Sequence, residues 1–203
     1  MTRRNTRIGA IAVIFTLLLV VMALGWWFRP VTLHGTELQS SNPMADFELV
    51  GNDGTPVRLS DFRGKWTVIY FGYTFCPDVC PTTLGDLSQM MQALDDKRDN
   101  VQVLMVTVDP ERDTPERLGQ YLPYFDPSFI GLTGEAEQIE AAASQFGVFY
   151  EKEPGSVQDY LISHTSTVAV IDPEGTMRIV YPYGVSGNDI AADLRYFIRR
   201  QLF

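Results

Sequence analysis

The sequence predicts an α/β sandwich, a sheet covered by helices on both faces, carried behind an apolar segment long enough to cross a membrane. Three observations predict it. Strand-length apolar runs alternate with apolar stripes at helical spacing, the chain closes on a hairpin and a helix, and Ile8 to Phe28 carries no charge. The 203 residues are 45% hydrophobic, 12% aromatic and 20% charged, with 12 prolines, 16 glycines and two cysteines. Those fractions exclude a disordered chain, a collagen-like repeat and a disulfide-dense scaffold, and the length suits one domain with an appendage.

The N-terminal elements follow from charge and hydropathy. At about 1.5 Å rise per residue, Ile8–Phe28 spans roughly the ~30 Å hydrocarbon core of a bilayer. Arg3, Arg4 and Arg7 precede it and only Arg29 follows, so the N-terminus is expected in the cytoplasm and the remainder on the exported side, the periplasm in a bacterium. Trp26 and Trp27 stand where interfacial aromatics belong. A cleaved signal would have a shorter core and a small-residue cleavage site. This run ends in Trp-Trp-Phe-Arg-Pro, so an uncleaved, single-pass anchor is expected. The expected division is a stub at 1–7, the anchor at 8–28, a linker at 29–45 and the exported domain at 46–203. No Asp or Glu occurs before Glu37, and the formal net charge of −9 argues against nucleic acid as a partner.

Within the domain, Asp46-Phe-Glu-Leu-Val alternates, Asn52-Asp-Gly-Thr turns, and Pro56-Val-Arg-Leu returns. Thr67–Tyr73, Val101–Val108, Thr167–Asp172 and Thr176–Tyr181 are apolar runs of strand length, with a further short strand near Phe129–Leu132. Leu84, Leu87, Met91 and Leu94 share one helical stripe. Thr114 caps a second helix, with Pro115 at its first position and Pro123 ending it. Ile139, Ala143 and Phe146 mark a third, closed by Gly147. Ile190, Leu194, Phe197, Ile198 and Leu202 mark the last.

The chemistry-bearing residues are few. Cys76 and Cys80, in Phe75-Cys-Pro-Asp-Val-Cys-Pro, fall between a buried strand and a helix N-terminus, with Pro81 in the first turn. The free amides and dipole there are expected to favour thiolate and lower the thiol pKa, which serves redox exchange and metal ligation alike. A structural disulfide over so short a loop would constrain the unfolded chain little, so a functional pair is the better reading. His34 reads as a solvated linker residue. His164 precedes the strand at Thr167, where a histidine by itself is usually a hydrogen-bonded loop residue. Loops at one edge of neighbouring strands converge, however. Two thiolates and an imidazole suit Cu(I), and also Zn(II) or Cu(II). Structural zinc usually has four protein ligands, and only three candidates exist, which tilts the metal towards copper.

The stretch from Phe71 to Pro81 resembles the signature of the Sco (SenC) family, as do Val108-Asp-Pro-Glu-Arg-Asp-Thr-Pro, Asp159-Tyr-Leu-Ile-Ser-His-Thr and Phe62-Arg-Gly-Lys. The resemblance runs from about Ala45 to the C-terminus and includes the anchor. It implies a thioredoxin-like fold, one copper ion per chain as Cu(I) or Cu(II), and Cys76, Cys80 and His164 as its ligands. It further implies delivery of that copper to the copper-site subunit of cytochrome c oxidase during assembly, with another copper chaperone as a candidate donor. The alternative is a thiol–disulfide oxidoreductase that reduces the oxidase copper-site cysteines or other exported thiols through Cys76 and Cys80. Thioredoxin-like reductases usually carry Cys-x-x-Cys and an opposing cis-proline. Here the spacing is one residue longer, and His164-Thr-Ser-Thr has no proline, which favours metal binding. A peroxiredoxin-like peroxidase and a structural tether are weaker readings. The block Asp109–Glu116 is explained by capping alone, with partner docking by Asp109, Glu111 and Arg112 as the alternative.

Overall fold

The computed structural model describes residues 15–22, 25, 32–39, 41–155 and 160–201. The chain divides into two compact units, Met1–Thr32 and Leu33–Phe203. In the first, residues 15–22 are helical, with Phe15 and the apolar residues that follow it exposed. Among the described residues no helix is long and apolar enough to cross a membrane. The rest of the anchor expected over Ile8–Phe28 lies outside the described residues.

The second unit is built on an eight-stranded mixed sheet, in the order β1-β10-β9-β4-β5-β6-β2-β3. Its strands are β1 (Thr36–Glu37), β2 (Glu48–Gly51), β3 (Pro56–Arg58), β4 (Trp66–Gly72), β5 (Val101–Thr107), β6 (Ile130–Thr133), β9 (Val168–Ile171) and β10 (Met177–Tyr181). The central strands β4, β5 and β6 run parallel, while β9 lies antiparallel to β4. Every residue of β4 is buried, as its unbroken apolar run requires of a strand covered on both faces. A separate hairpin pairs β7 (Tyr150–Lys152) with β8 (Ile162–His164).

Four helices cover the sheet: α1 (Val79–Leu94), α2 (Pro115–Tyr121), α3 (Ala136–Gln145) and α4 (Gly187–Gln201). The register shows that they lie on both faces. Tyr70, Met105 and Gly131 stand side by side across β4, β5 and β6 and so share a face. Leu118 of α2 packs directly over Gly131, and α1 packs against α4. Phe71, one residue on, points the other way and meets Phe146 at the end of α3, with ring centroids 5.3 Å apart. Thr114 caps α2 by accepting from the Arg117 N–H, with Pro115 at the first helical position, as its sequence predicts.

Two parts of the expected layout change. The stretch 29–45 reads as a linker, yet Thr36–Glu37 pairs antiparallel with β10 and His34 is bonded to Asp193, so the folded unit begins at Leu33. The β7–β8 hairpin has no counterpart in the sequence reading. Tyr-Glu-Lys and Ile-Ser-His are too short and too polar to register as strands, and only their pairing with each other defines them. Its connection includes residues 156–159, so Asp159 lies outside the described residues, as does Leu202.

Candidate metal centre

The cysteine turn starts where β4 ends. Asp78 is the residue before α1, and its side chain makes no capping bond; one free amide of the first turn finds sulfur instead, the Cys80 N–H pointing at Cys76 Sγ at 3.3 Å. Both cysteines are free thiols, Cys76 half-buried and Cys80 fully buried. The expected lowering of the thiol pKa fails for Cys80. Burial pushes its thiol up to about 12, and the nearby Tyr70 hydroxyl opposes this only in part. Desolvation of the anion outweighs the helix terminus once the sulfur has no access to water.

His164 ends β8, opposite Tyr150, and its Nε2 lies 3.4 Å from Cys80 Sγ. Its Nδ1 lies 3.3 Å from the Thr165 carbonyl. A carbonyl only accepts, so Nδ1 carries the hydrogen and Nε2 turns its lone pair towards the sulfur. Burial lowers the imidazole pKa and keeps the ring neutral. One ligand atom from each of Cys76, Cys80 and His164 lies within 4.8 Å of the others, a spacing that a single ion can bridge. On its outer side His164 lines an open groove with Phe149, Tyr150 and Thr165.

The loop after β5 ties the two halves of this cluster together. Asp113 is fully buried and accepts from the Thr74 N–H at 2.9 Å, the Thr74 hydroxyl at 2.6 Å and the Thr107 hydroxyl at 2.7 Å, which pins the turn that carries Cys76. Burial raises the Asp113 pKa despite these donors. Asp109, also fully buried, pairs with the Arg112 guanidinium and accepts from the Tyr160 hydroxyl at 2.6 Å. Arg112 lies 3.7 Å above the Tyr160 ring, donates to the Tyr160 carbonyl at 3.0 Å, and approaches Phe75 beside Cys76 at 4.7 Å. Tyr160 leads directly into β8 and hence to His164. Tyr73 adds a direct tie, accepting from the Ile162 N–H at 3.1 Å and standing edge-on to His164.

The sequence reading therefore missed the residues that hold the cluster. Asp109 and Arg112 turn inward rather than present a docking face, and Glu111 pairs with Lys152 at 2.6 Å. Capping explains Thr114 and Pro115 but not Asp113, whose carboxylate reaches back to Thr74. The available signal was an acidic residue at each end of Asp109–Asp113, directly after an apolar strand, where a carboxylate is buried unless the chain turns outward. His34 is solvent-exposed as expected, but it is no loose linker residue: its ring lies between Asp193 and Asp189.

Comparisons with known proteins agree with this architecture. The SCO1/SenC family model matches residues 35–199. The mitochondrial protein SCO2 homolog of Mus musculus is 36% identical over 163 residues, covering 79% of this chain and 64% of the mouse protein. The solution structure of apo Sco1 from Thermus thermophilus superimposes with a TM-score of 0.74 at 42% identity, covering 82% of this chain and 97% of that one. The crystal structure of Arabidopsis thaliana ScoI with copper bound gives 0.73 at 32% identity, covering 78% and 99%. The family match takes in the cysteine turn, the strand-end loop and the histidine hairpin together, and with them the whole fold that brings them into one place: this chain belongs to the SCO1/SenC family.

Proposed function

We propose that this protein carries copper as cargo between Cys76, Cys80 and His164 and delivers it to the copper-site subunit of cytochrome c oxidase during assembly. The observation that carries the reading is the convergence of two thiols and a neutral imidazole, with all three ligand atoms within 4.8 Å. Two sulfurs suit Cu(I), and the added nitrogen suits Cu(II), so one site serves both oxidation states. Binding must displace the thiol protons, and the Cys80 proton is the harder to remove because of burial. Loading is therefore expected to weaken as pH falls. Residues 8–28 anchor the exported domain, with 1–7 in the cytoplasm. The copper-bound Arabidopsis relative supports the choice of metal.

The test is a competition titration of the reduced protein with Cu(I), a spectroscopic titration with Cu(II), and oxidase assembly in cells. One ion per chain is expected, with binding lost in Cys76→Ser and Cys80→Ser. Copper binding that survives either change would sink the ligand assignment. A membrane-bound protein of full-length mass supports the anchor, whereas a mature N-terminus near residue 30 refutes it.

One observation favours a second reading. Cys76 is half-buried and reachable while Cys80 is sealed beneath it, the division of labour of a dithiol exchange site. A Cys76 thiolate would attack a partner disulfide, forming a mixed disulfide and releasing the partner's other sulfur. Deprotonated Cys80 would then attack Cys76, closing the Cys76–Cys80 disulfide and leaving the partner with two thiols. The raised Cys80 pKa makes the second step slow at neutral pH. Accumulation of a mixed disulfide in Cys80→Ser, with assembly insensitive to His164→Ala, would favour this reading over the first.

A further inference from the structure

Tyr70 sits on β4, fully buried, and its hydroxyl meets no partner at full hydrogen-bonding geometry among the described residues, with Cys80 and Thr83 as its polar neighbours. A buried phenol ordinarily finds one. What lies beside it is the metal cluster. Gly72, two residues on and on the same face, has no side chain, and the space a Cβ would take is filled from both sides. Such an atom would meet Tyr70 Cε1 at 2.6 Å, Tyr70 Cζ at 3.2 Å and Cys80 Sγ at 3.1 Å. The hydroxyl end of the ring and the Cys80 sulfur are thus brought together over a bare backbone. The same ring stands edge-on to His164, with centroids 6.2 Å apart.

We propose that Tyr70 is a positioning residue of the copper site, its hydroxyl donating to the Cys80 sulfur once copper has displaced the thiol proton. The inference rests on the copper reading above. In the dithiol form the sulfur is a weak acceptor and its own hydrogen faces His164, so the hydroxyl gains little from it. A metal-bound thiolate is an anion, and a hydrogen bond to an ionised acceptor is roughly twice as strong as a neutral one. The unmet donor of the metal-free protein is then the met donor of the loaded one. Such outer contacts orient a ligand and tune the electronics of the metal it holds.

Tyr70→Phe in the full chain tests this, because phenylalanine keeps the ring and removes only the hydroxyl. The metal-free, reduced variant is expected to melt no lower than the parent, since it loses an unpaired buried group. Its affinity for copper should fall about 10-fold, the lower end of the usual effect of removing an outer-shell contact. The thiolate-to-Cu(II) charge-transfer band should move to lower energy, because the sulfur lone pairs lose a stabilising donor. A fluorotyrosine at position 70, a stronger donor, should move it the other way. A variant with parental affinity and an unshifted band overturns the inference while leaving the copper reading intact. A parent protein that binds no copper overturns both.

Discussion

The two histidines of this chain occupy opposite surroundings, and the contrast shows how a fold decides what an imidazole does. His34 is half-exposed, with Nδ1 2.9 Å from Asp193 and Nε2 3.3 Å from Asp189. Both ring nitrogens face carboxylates, which favours the protonated ring, and the hydrogen bond to Asp193 raises the His34 pKa despite some desolvation. His164 has one nitrogen on a carbonyl and the other facing a thiol, and burial lowers its pKa. The first fastens the start of the domain to α4, most strongly when it is protonated. The second is a neutral base with a free lone pair, the only form of histidine that can ligate a metal.

The scaffolding of the two differs as well. His34 is held directly: its backbone N–H also donates to Asp193, and Tyr181 donates to the same carboxylate. Gly35 next to it packs so closely on Ile179 and Tyr181 that a Cβ would come within 2.7 Å of either. His164 makes few strong bonds of its own and is held at second hand, through Tyr160, Arg112 and Asp109. Such an arrangement suits a candidate ligand, because a nitrogen already saturated by donors and acceptors has nothing left for an ion.

The comparison can be broken most forcefully at that clasp. Arg112→Ala leaves Asp109 buried without its cation, which typically costs about 3–5 kcal/mol of folding stability, measurable by urea denaturation of the reduced, metal-free protein. A loss under about 1 kcal/mol, the range of an exposed pair, would show that the clasp is not desolvated. Next in size, His164→Ala should weaken Cu(II) binding about 10–100-fold while two sulfurs still hold Cu(I). Equal losses for both ions would mean that the imidazole is not a nitrogen donor to Cu(II).

A smaller effect is expected at the other histidine. Asp193→Asn keeps the shape of the carboxylate but removes its charge, and should lower the melting temperature by a few degrees, at about 2–4 °C per kcal/mol for a chain of this size. The loss should be larger below the raised His34 pKa than above it, where the ring is neutral in either protein. Copper affinity should not change, since the strap is not part of the metal cluster.

The finest test is the pH dependence of stability in the metal-free, reduced protein. The raised pKa of His34 means that its contribution is complete below about 6.5 and is lost as pH rises through the higher folded value. The lowered pKa of His164 has the opposite sign: its contribution is complete above about 6.5 and is lost as pH falls through the lower folded value. His34→Gln should abolish the first trend and preserve the second in urea midpoints taken across pH 5 to 9. A parallel change in both would show that the two rings are not in opposite environments.

Much of this was legible before any coordinate. Apolar runs of strand length such as Val68–Phe71 read as covered strands, Thr114-Pro115 reads as a helix start, and a cysteine pair at a strand–helix junction marks the candidate site. These signals are local, carried by neighbours in sequence. The tie from Asp113 back to Thr74 spans 39 positions, that from Tyr160 to Asp109 spans 51, and that from His34 to Asp193 spans 159. No local pattern records such pairs.

By itself, then, the sequence determined the order and type of the main elements, an acidic domain behind an apolar segment, and the identity of three candidate ligands. Only the tertiary structure decided how those candidate ligands are buried and what holds them. A helix terminus alone would favour thiolate at Cys80, but the pKa answers to the whole surroundings, and burial under β4 and the histidine hairpin reverses the sign. The same holds for the two histidines. Their sequence neighbours did not distinguish strap from candidate ligand, because the charge of an imidazole is set by the groups that reach its nitrogens through space.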